Sequence, residues 1–432
     1  MTRLLALVES VAACAAVWAV LLAWPHHPAA PVSALAPALG LALCGAVSFY
    51  FHDLYDLRVA RTLGAFSLRL PQALAIALVM AAAAQSALPD LRADALPTLA
   101  GLAASCGAVI GMRAWLYRRL ARSAAGRRLV LLGSGPLARR LGAEIASNPH
   151  HRLTVVGRAD PVLDSPEEIE SLLASTRPDA IVVAMAERRG RLPVETLLRA
   201  RAGGVGVEEG SALYERMAGK LAIEALRPSE IVFSPLFRPS GDRVARALSV
   251  AAAAAGLALA APLIALIAAA IKIDSRGPVF FVQTRVGLRG RRFGMVKFRT
   301  MHPVQRETSV WVRDNQERIT RVGRLLRRFR LDEIPQFLNV LRGDMNLVGP
   351  RPHPEVNHRL FAEKIPHYAL RCVVRPGVTG WAQVRYSYAN NLEEETEKMR
   401  YDLYYIKHRS LAFDALILME TCKVVLLGRS TR

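Results

Sequence analysis

The sequence predicts an α-helical membrane bundle of four transmembrane helices, an α/β Rossmann-like cytosolic domain, and a second α/β domain carrying a re-entrant membrane helix hairpin. Three observations predict it. Four apolar stretches of bilayer-spanning length open the chain. Strand and helix patterns then alternate around a glycine-rich turn. A fifth apolar stretch, interrupted by Pro262, precedes a segment dense in charge, glycine and proline. The expected boundaries are 1–118 for the bundle, 127–242 for the Rossmann-like segment and 243–432 for the last domain, with the hairpin at 247–273.

The apolar stretches cover residues 4–24, 33–51, 68–88 and 96–116. Each is near the ~20 residues that cross a bilayer. Glu9 interrupts the first, and further apolar runs follow, so this is a retained helix rather than a cleaved leader. Arg3 precedes the first stretch, Arg58, Arg61 and Arg69 lie between the second and third, and Arg113, Arg118, Arg119, Arg122, Arg127 and Arg128 follow the fourth. That bias puts both ends of the bundle on the cytoplasmic side.

In the next segment, residues 128–132 and 179–183 read as buried strands. Gly133-Ser-Gly135-Pro-Leu-Ala138 matches the dinucleotide fingerprint, with Gly133 and Gly135 as weak cofactor-binding candidates. A match of this kind alone is weak, and the ribose-binding acid is not clear, although Asp160 is near. A structural or regulatory role is the competing reading.

The fifth stretch poses a question of parity. Basic residues crowd both sides of it, so one segment must enter the membrane and return, bending at Pro262. An ordinary fifth crossing would place the very basic C-terminal part outside.

Composition bounds the partners. Hydrophobic residues make up 52% and the formal net charge is +21. Positive-inside bias accounts for part of that excess; the rest points to an anionic partner such as nucleic acid, lipid or a phosphorylated substrate. The five cysteines form no CxxC pair, which supports neither a disulfide framework nor a zinc site.

Four clusters carry the candidate chemistry. Lys297-Phe-Arg-Thr-Met301 reads as a basic strand with Lys297 and Arg299 on one face, able to hold a phosphate or equally to be a solvated edge. Asp332-Glu333 precedes an apolar-periodic run containing Pro335 and follows Arg327, Arg328 and Arg330. At a helix start the dipole favours carboxylates, so Asp332 could attack phosphorus and Glu333 could bind Mg²⁺. An isolated Asp-Glu there reads as readily as a solvated N-cap. Two prolines flank Arg351, which suits oriented phosphate binding or a tight turn. Arg375-Pro-Gly-Val-Thr-Gly-Trp-Ala-Gln383 makes a fixed loop that could present Arg375, Thr379, Trp381 and Gln383 to a nucleotide or sugar.

Together with Leu338-Asn-Val-Leu-Arg-Gly-Asp-Met345 and Val348-Gly-Pro-Arg-Pro352, these clusters strongly resemble the bacterial sugar transferases, the monotopic-type polyprenyl-phosphate glycosyl-1-phosphate transferases. The resemblance covers residues 242–427, and the whole chain looks like the long members of the undecaprenyl-phosphate glucose phosphotransferase kind. Trp-Ala-Gln-Val-Arg-Tyr-Ser-Tyr388 resembles the branch found beside PEP-CTERM-associated exopolysaccharide systems. The resemblance implies an α/β catalytic domain and a ping-pong reaction. In it Asp332 attacks a UDP-sugar, UMP leaves, and the phosphosugar passes to undecaprenyl phosphate as the first membrane step of exopolysaccharide or O-antigen-type synthesis.

The resemblance also assigns residues. Glu333 would hold Mg²⁺, while Arg327, Arg351 and Lys297 match phosphate-facing positions. It implies a multi-pass protein of the bacterial inner membrane with a cytoplasmic catalytic domain, a bilayer-bound hairpin and an interfacial helix at 411–427. A homodimer and downstream glycosyltransferases are implied partners, nucleic acid is not, and glucose is the first sugar expected. The alternatives are a membrane-anchored NAD-dependent oxidoreductase or epimerase using Gly133 and Gly135, and a charge-driven nucleic-acid or lipid binder with no reaction.

Overall fold

The structure is a computed structural model describing residues 2–24, 34–55, 62–88, 94–122, 126–185, 187–188, 190–226, 231, 233, 243–302, 317–386 and 389–426. The chain divides into two compact units, Met1–Arg128 with Ile145–Thr154, and Leu129–Glu144 with Val155–Arg432.

The first unit is built on helices α1 (Thr2–Ala23), α2 (Leu35–Phe51), α3 (Leu63–Ala87) and α4 (Ala95–Arg122). Three of them are long and apolar enough to cross a membrane. The fourth, α2, has 17 residues, the short end of what a bilayer accepts. Ala34, Ala38, Ala73 and Ala77 are fully buried between helices, where small side chains let backbones approach. Leu7, Leu43, Leu68 and Val79 point outward, the reverse of a soluble protein. Glu9 lies inside, ion-paired with Arg113, which also donates to the Leu54 carbonyl at 2.9 Å. Arg113 was expected among the basic residues beyond the fourth span. It sits instead within α4, where burial of Glu9 requires a cation.

The second unit begins with a sheet of β1 (Arg127–Leu132), β2 (Leu153–Ala159), β3 (Ala180–Val183) and β4 (Gly206–Glu209), ordered 2-1-3-4. β1 pairs parallel with β3, and β3 with β4. The apolar runs of the central strands β1 and β3 are buried, as parallel strands covered by helices must be. The covering helices are α5 (Pro136–Ser147), α6 (Pro166–Thr176), α7 (Val194–Ala202) and α8 (Gly210–Ala218). Gly133 turns the chain from β1 towards α5 at φ 115°, open to glycine and strained for other residues.

Helix α9 (Arg243–Asp274) follows as one 32-residue element. The sequence predicted two short halves separated by a bend. Pro262 lies inside the helix and does not end it. Hairpin β5 (Phe280–Val286) and β6 (Arg292–Phe298) is antiparallel, with Phe281 opposite Lys297. Then come α10 (Arg321–Arg328), a 3₁₀ turn at Leu331–Glu333, α11 (Gln336–Arg342), β7 (Asn346–Val348), α12 (Glu355–Lys364), β8 (Gly377–Thr379), α13 (Trp381–Arg385), α14 (Leu392–His408) and α15 (Leu411–Leu426). The main core gathers Phe361, Tyr368, Trp381, Met399, Leu403 and Ile417. β7 and β8 run parallel, and side chains at Gly349 or Gly377 would overlap the facing backbone.

The sheet segment and the last domain interlock. Arg400, 1% exposed, pairs with Glu224, Lys220 pairs with Glu397, and the Trp381 indole N–H donates to the Gly219 carbonyl at 2.7 Å.

Candidate active site

The site starts from the way the chain enters α11. Phe298 and Leu326 pack with Ile267 and Ile271 of α9, and Leu331 and Ile334 rest against them. These apolar anchors hold the 3₁₀ turn between them and leave Asp332 and Glu333 on it. Asp332 is buried at 8% exposed. Arg330 precedes it at φ 53°, so the backbone reverses sharply into the turn.

Glu333 is ion-paired with Arg351 at 2.7 Å. Burial works against its ionisation, but the charge and hydrogen bond of Arg351 hold its carboxyl below the usual range. Asp332 behaves oppositely. Burial and the neighbouring Glu333 push its carboxyl up, and Lys297, Arg351 and Arg327 oppose that rise. Desolvation by burial thus acts against the ionisation expected at a helix start, and the three cations act for it.

Lys297, on β6, belongs to this group. Burial, Arg285 and Arg351 push its ammonium down to about 8, against Asp332 and Glu333. Arg327 donates to Thr300 Oγ1 at 3.0 Å while its charge acts on Asp332.

Other predicted residues lie elsewhere. β6 ends at Phe298, and buried Arg299 donates to the carbonyls of Ser275 and Arg276 at 2.7 and 2.8 Å. Its guanidinium thus closes the end of α9. Arg375 donates to the Gly343 carbonyl at 3.1 Å. Thr379 meets Thr421 of α15 at 2.6 Å, and Gln383 donates to the Val378 carbonyl at 3.1 Å. The glycine-rich loop therefore turns inward and braces the core, because its glycines allow backbone contact that a presented loop would not need.

Two residues escaped sequence reasoning. Arg285, 9% exposed, donates to the Pro352 carbonyl at 2.8 Å and to Gln283 at 2.6 Å, fixing the Arg351 loop from below. Arg371 holds the same loop at the Arg351 carbonyl, 3.0 Å, and is itself held by Asp402. Each arginine is unremarked in a chain with 57 Lys and Arg residues.

The Gly133–Ala138 turn offers little to a dinucleotide. Ser134 donates to Asp160, whose carboxylate also accepts from the Val162 N–H, and Ser134 and Val162 hold its carboxyl below the usual range. Asp160, the acid near the expected ribose position, is thus engaged locally.

Among the described residues no group of three or more His, Cys, Asp or Glu side chains converges on a metal position. Asp332 and Glu333 supply one or two carboxylates, the donor set Mg²⁺ takes when phosphate oxygens and water complete its shell. Glu333 Oε1 is engaged by Arg351, so a fit would use Oε2.

An acidic pair held by converging cations at the end of a long apolar helix is an arrangement suited to phosphate groups. Comparison with known proteins agrees with that reading. Residues 241–428 match the family described as bacterial sugar transferase. The chain is 45% identical over 199 residues to a UDP-glucose:undecaprenyl-phosphate glucose-1-phosphate transferase of Caulobacter vibrioides, covering 45% of this chain and 73% of that one. It is 36% identical over 273 residues to a UDP-N-acetylgalactosamine-undecaprenyl-phosphate N-acetylgalactosaminephosphotransferase of Aeromonas hydrophila, covering 63% of each. It is 33% identical over 334 residues to an undecaprenyl-phosphate glucose phosphotransferase of Komagataeibacter xylinus, covering 73% of this chain and 61% of that one. The chain thus spans less than two thirds of the Aeromonas and Komagataeibacter relatives. It belongs to the bacterial sugar transferase family.

Proposed function

We propose that this protein transfers a sugar-1-phosphate from a UDP-sugar to undecaprenyl phosphate, releasing UMP. The observation that carries the reading is the buried Asp332 carboxyl facing Lys297, Arg351 and Arg327, with Glu333 locked to Arg351. An Asp332 carboxylate oxygen attacks the sugar-bearing phosphorus, the bond to the bridging oxygen breaks, and UMP leaves with that electron pair. An oxygen of the lipid phosphate then attacks the same phosphorus and displaces Asp332, restoring its carboxylate. Lys297, Arg351 and Arg327 bind the phosphoryl oxygens, and low local dielectric strengthens that attraction. Mg²⁺ bound at Glu333 would neutralise diphosphate charge. Glucose is the first donor to test, with N-acetylgalactosamine next.

Re-entry of α9 fits this reading. Near its start Arg246 donates to the Val340 and Met345 carbonyls at 2.5 and 2.7 Å. At its end Asp274 accepts from the Val322 N–H at 3.1 Å. A helix spanning a ~30 Å hydrocarbon core would carry its ends to opposite sides. Two ends on one domain favour a helix that dips into one leaflet, on the cytoplasmic side by charge bias. The segment 127–242 is read as a Rossmann-like unit from its parallel sheet and the Gly133 turn.

The test is purified protein in nanodiscs with a panel of UDP-sugars, Mg²⁺ and undecaprenyl phosphate, scoring UMP. Release from at least one donor is expected; release from none would overturn the reading.

A further inference from the structure

Gln336 opens α11 and is 0% exposed, yet neither its Oε1 nor its Nε2 has a hydrogen-bond partner. An unpaired buried amide costs about 1–3 kcal/mol, so its retention calls for a reason. The same helix provides the contrast. Asn339, equally buried, accepts from the Val296 N–H at 2.9 Å and donates to the Gly294 carbonyl at 2.7 Å and Asp344 at 3.1 Å. It is a structural amide clamping α11 to β6.

Asp332, Gln336 and Asn339 are spaced i, i+4, i+7, one stripe of a helical chain. Ile334 and Pro335 have helical φ and ψ, so the stripe continues across the turn. Asn339 at one end of it bonds β6, and Asp332 at the other feels the charge of Lys297 on β6. Gln336 therefore lies between them, towards the same strand. An i, i+4 Asp–Gln pair is within side-chain hydrogen-bonding reach after a rotamer change.

We infer that Gln336 is the positioning residue of Asp332, its amide N–H holding the carboxylate in the attacking orientation and its carbonyl oxygen accepting from the Lys297 ammonium. The inference rests on the reading of Asp332 as nucleophile. The bridge forms when a phosphorylated substrate draws Lys297 and Asp332 together.

The test uses the full chain in nanodiscs with a UDP-sugar that the wild type turns over. Gln336→Met removes both polar ends at similar volume. The melting temperature should hold or rise, since an unpaired amide is gone. At the same time kcat should fall about 10- to 100-fold with KM little changed, the cost of a misplaced reacting group. The acid limb of kcat should also move to higher pH, because a donor to the carboxylate is lost. Gln336→Asn keeps the amide but withdraws it by one methylene and should lose rate likewise. Wild-type kcat and an unmoved acid limb in a folded variant would overturn the inference and leave the proposed reaction standing. Failure of both variants to fold would mark the amide as structural and also overturn it. Absence of UMP release by the wild type would instead remove the reading on which the inference rests, and the inference with it.

Discussion

Replacing Lys297 with arginine should abolish the alkaline limb of the pH–rate profile. Burial, Arg285 and Arg351 push the Lys297 ammonium down to about 8. The proposed reaction needs that charge beside the phosphoryl oxygens. A lowered pKa means the charge is complete at neutral pH and lost as pH rises through about 8. One unit above the pKa about a tenth of the ammonium remains, so turnover at pH 9 should be about tenfold below its plateau, and about a hundredfold below at pH 10. A guanidinium stays protonated throughout this range. Lys297→Arg should therefore run flat from pH 7 to pH 9, whatever its absolute rate. The assay is UMP release in nanodiscs at UDP-sugar well below KM, so that kcat/KM reports the unliganded lysine, with Lys297→Met as the control lacking any charge. A wild-type profile flat to pH 10, or an unchanged limb in Lys297→Arg, would refute the role given to this lysine.

Other outcomes follow from the same geometry. Arg351→Ala leaves Glu333 buried and unpaired, which should cost about 3–5 kcal/mol, read by thermal unfolding, together with loss of UMP release. Glu224→Ala removes a partner of buried Arg400 and should cost about 2 kcal/mol, with earlier proteolysis between the sheet segment and the last domain; unchanged cleavage would mean the interlock contributes little. Single cysteines placed just before Ala247 and just after Ile273 should be labelled from the same membrane side, and labelling from opposite sides would exclude re-entry.

The sequence made the elements and the acidic pair readable because both depend on local pattern. Apolar runs marked the membrane helices, and Asp332-Glu333 stood out among arginines. What it could not reveal was where long side chains find partners. Arg299, Arg375 and Thr379 sit in motifs that look like binding loops, yet each is engaged by a group outside its motif, such as the Ser275 carbonyl or Thr421, and Gln383 is engaged by the Val378 carbonyl of its own loop. Arg285 and Arg371 were hidden for the converse reason, since their work is done on the backbone around Arg351. The helix dipole alone did not reveal that burial pushes the Asp332 carboxyl up, because burial is a tertiary property. Pro262 predicted a bend, and the structure runs one helical element through it.

The central claim is that Asp332 carries the sugar phosphate. Intact-mass measurement of the protein incubated with its UDP-sugar, before any lipid acceptor is added, tests it directly. A gain of one sugar phosphate, mapped to the peptide containing Asp332, lost on adding undecaprenyl phosphate and absent in Asp332→Asn, is the predicted result. Turnover by Asp332→Asn at the wild-type rate, or a product that forms only when donor and lipid acceptor are present together with no adduct on the protein, would contradict it.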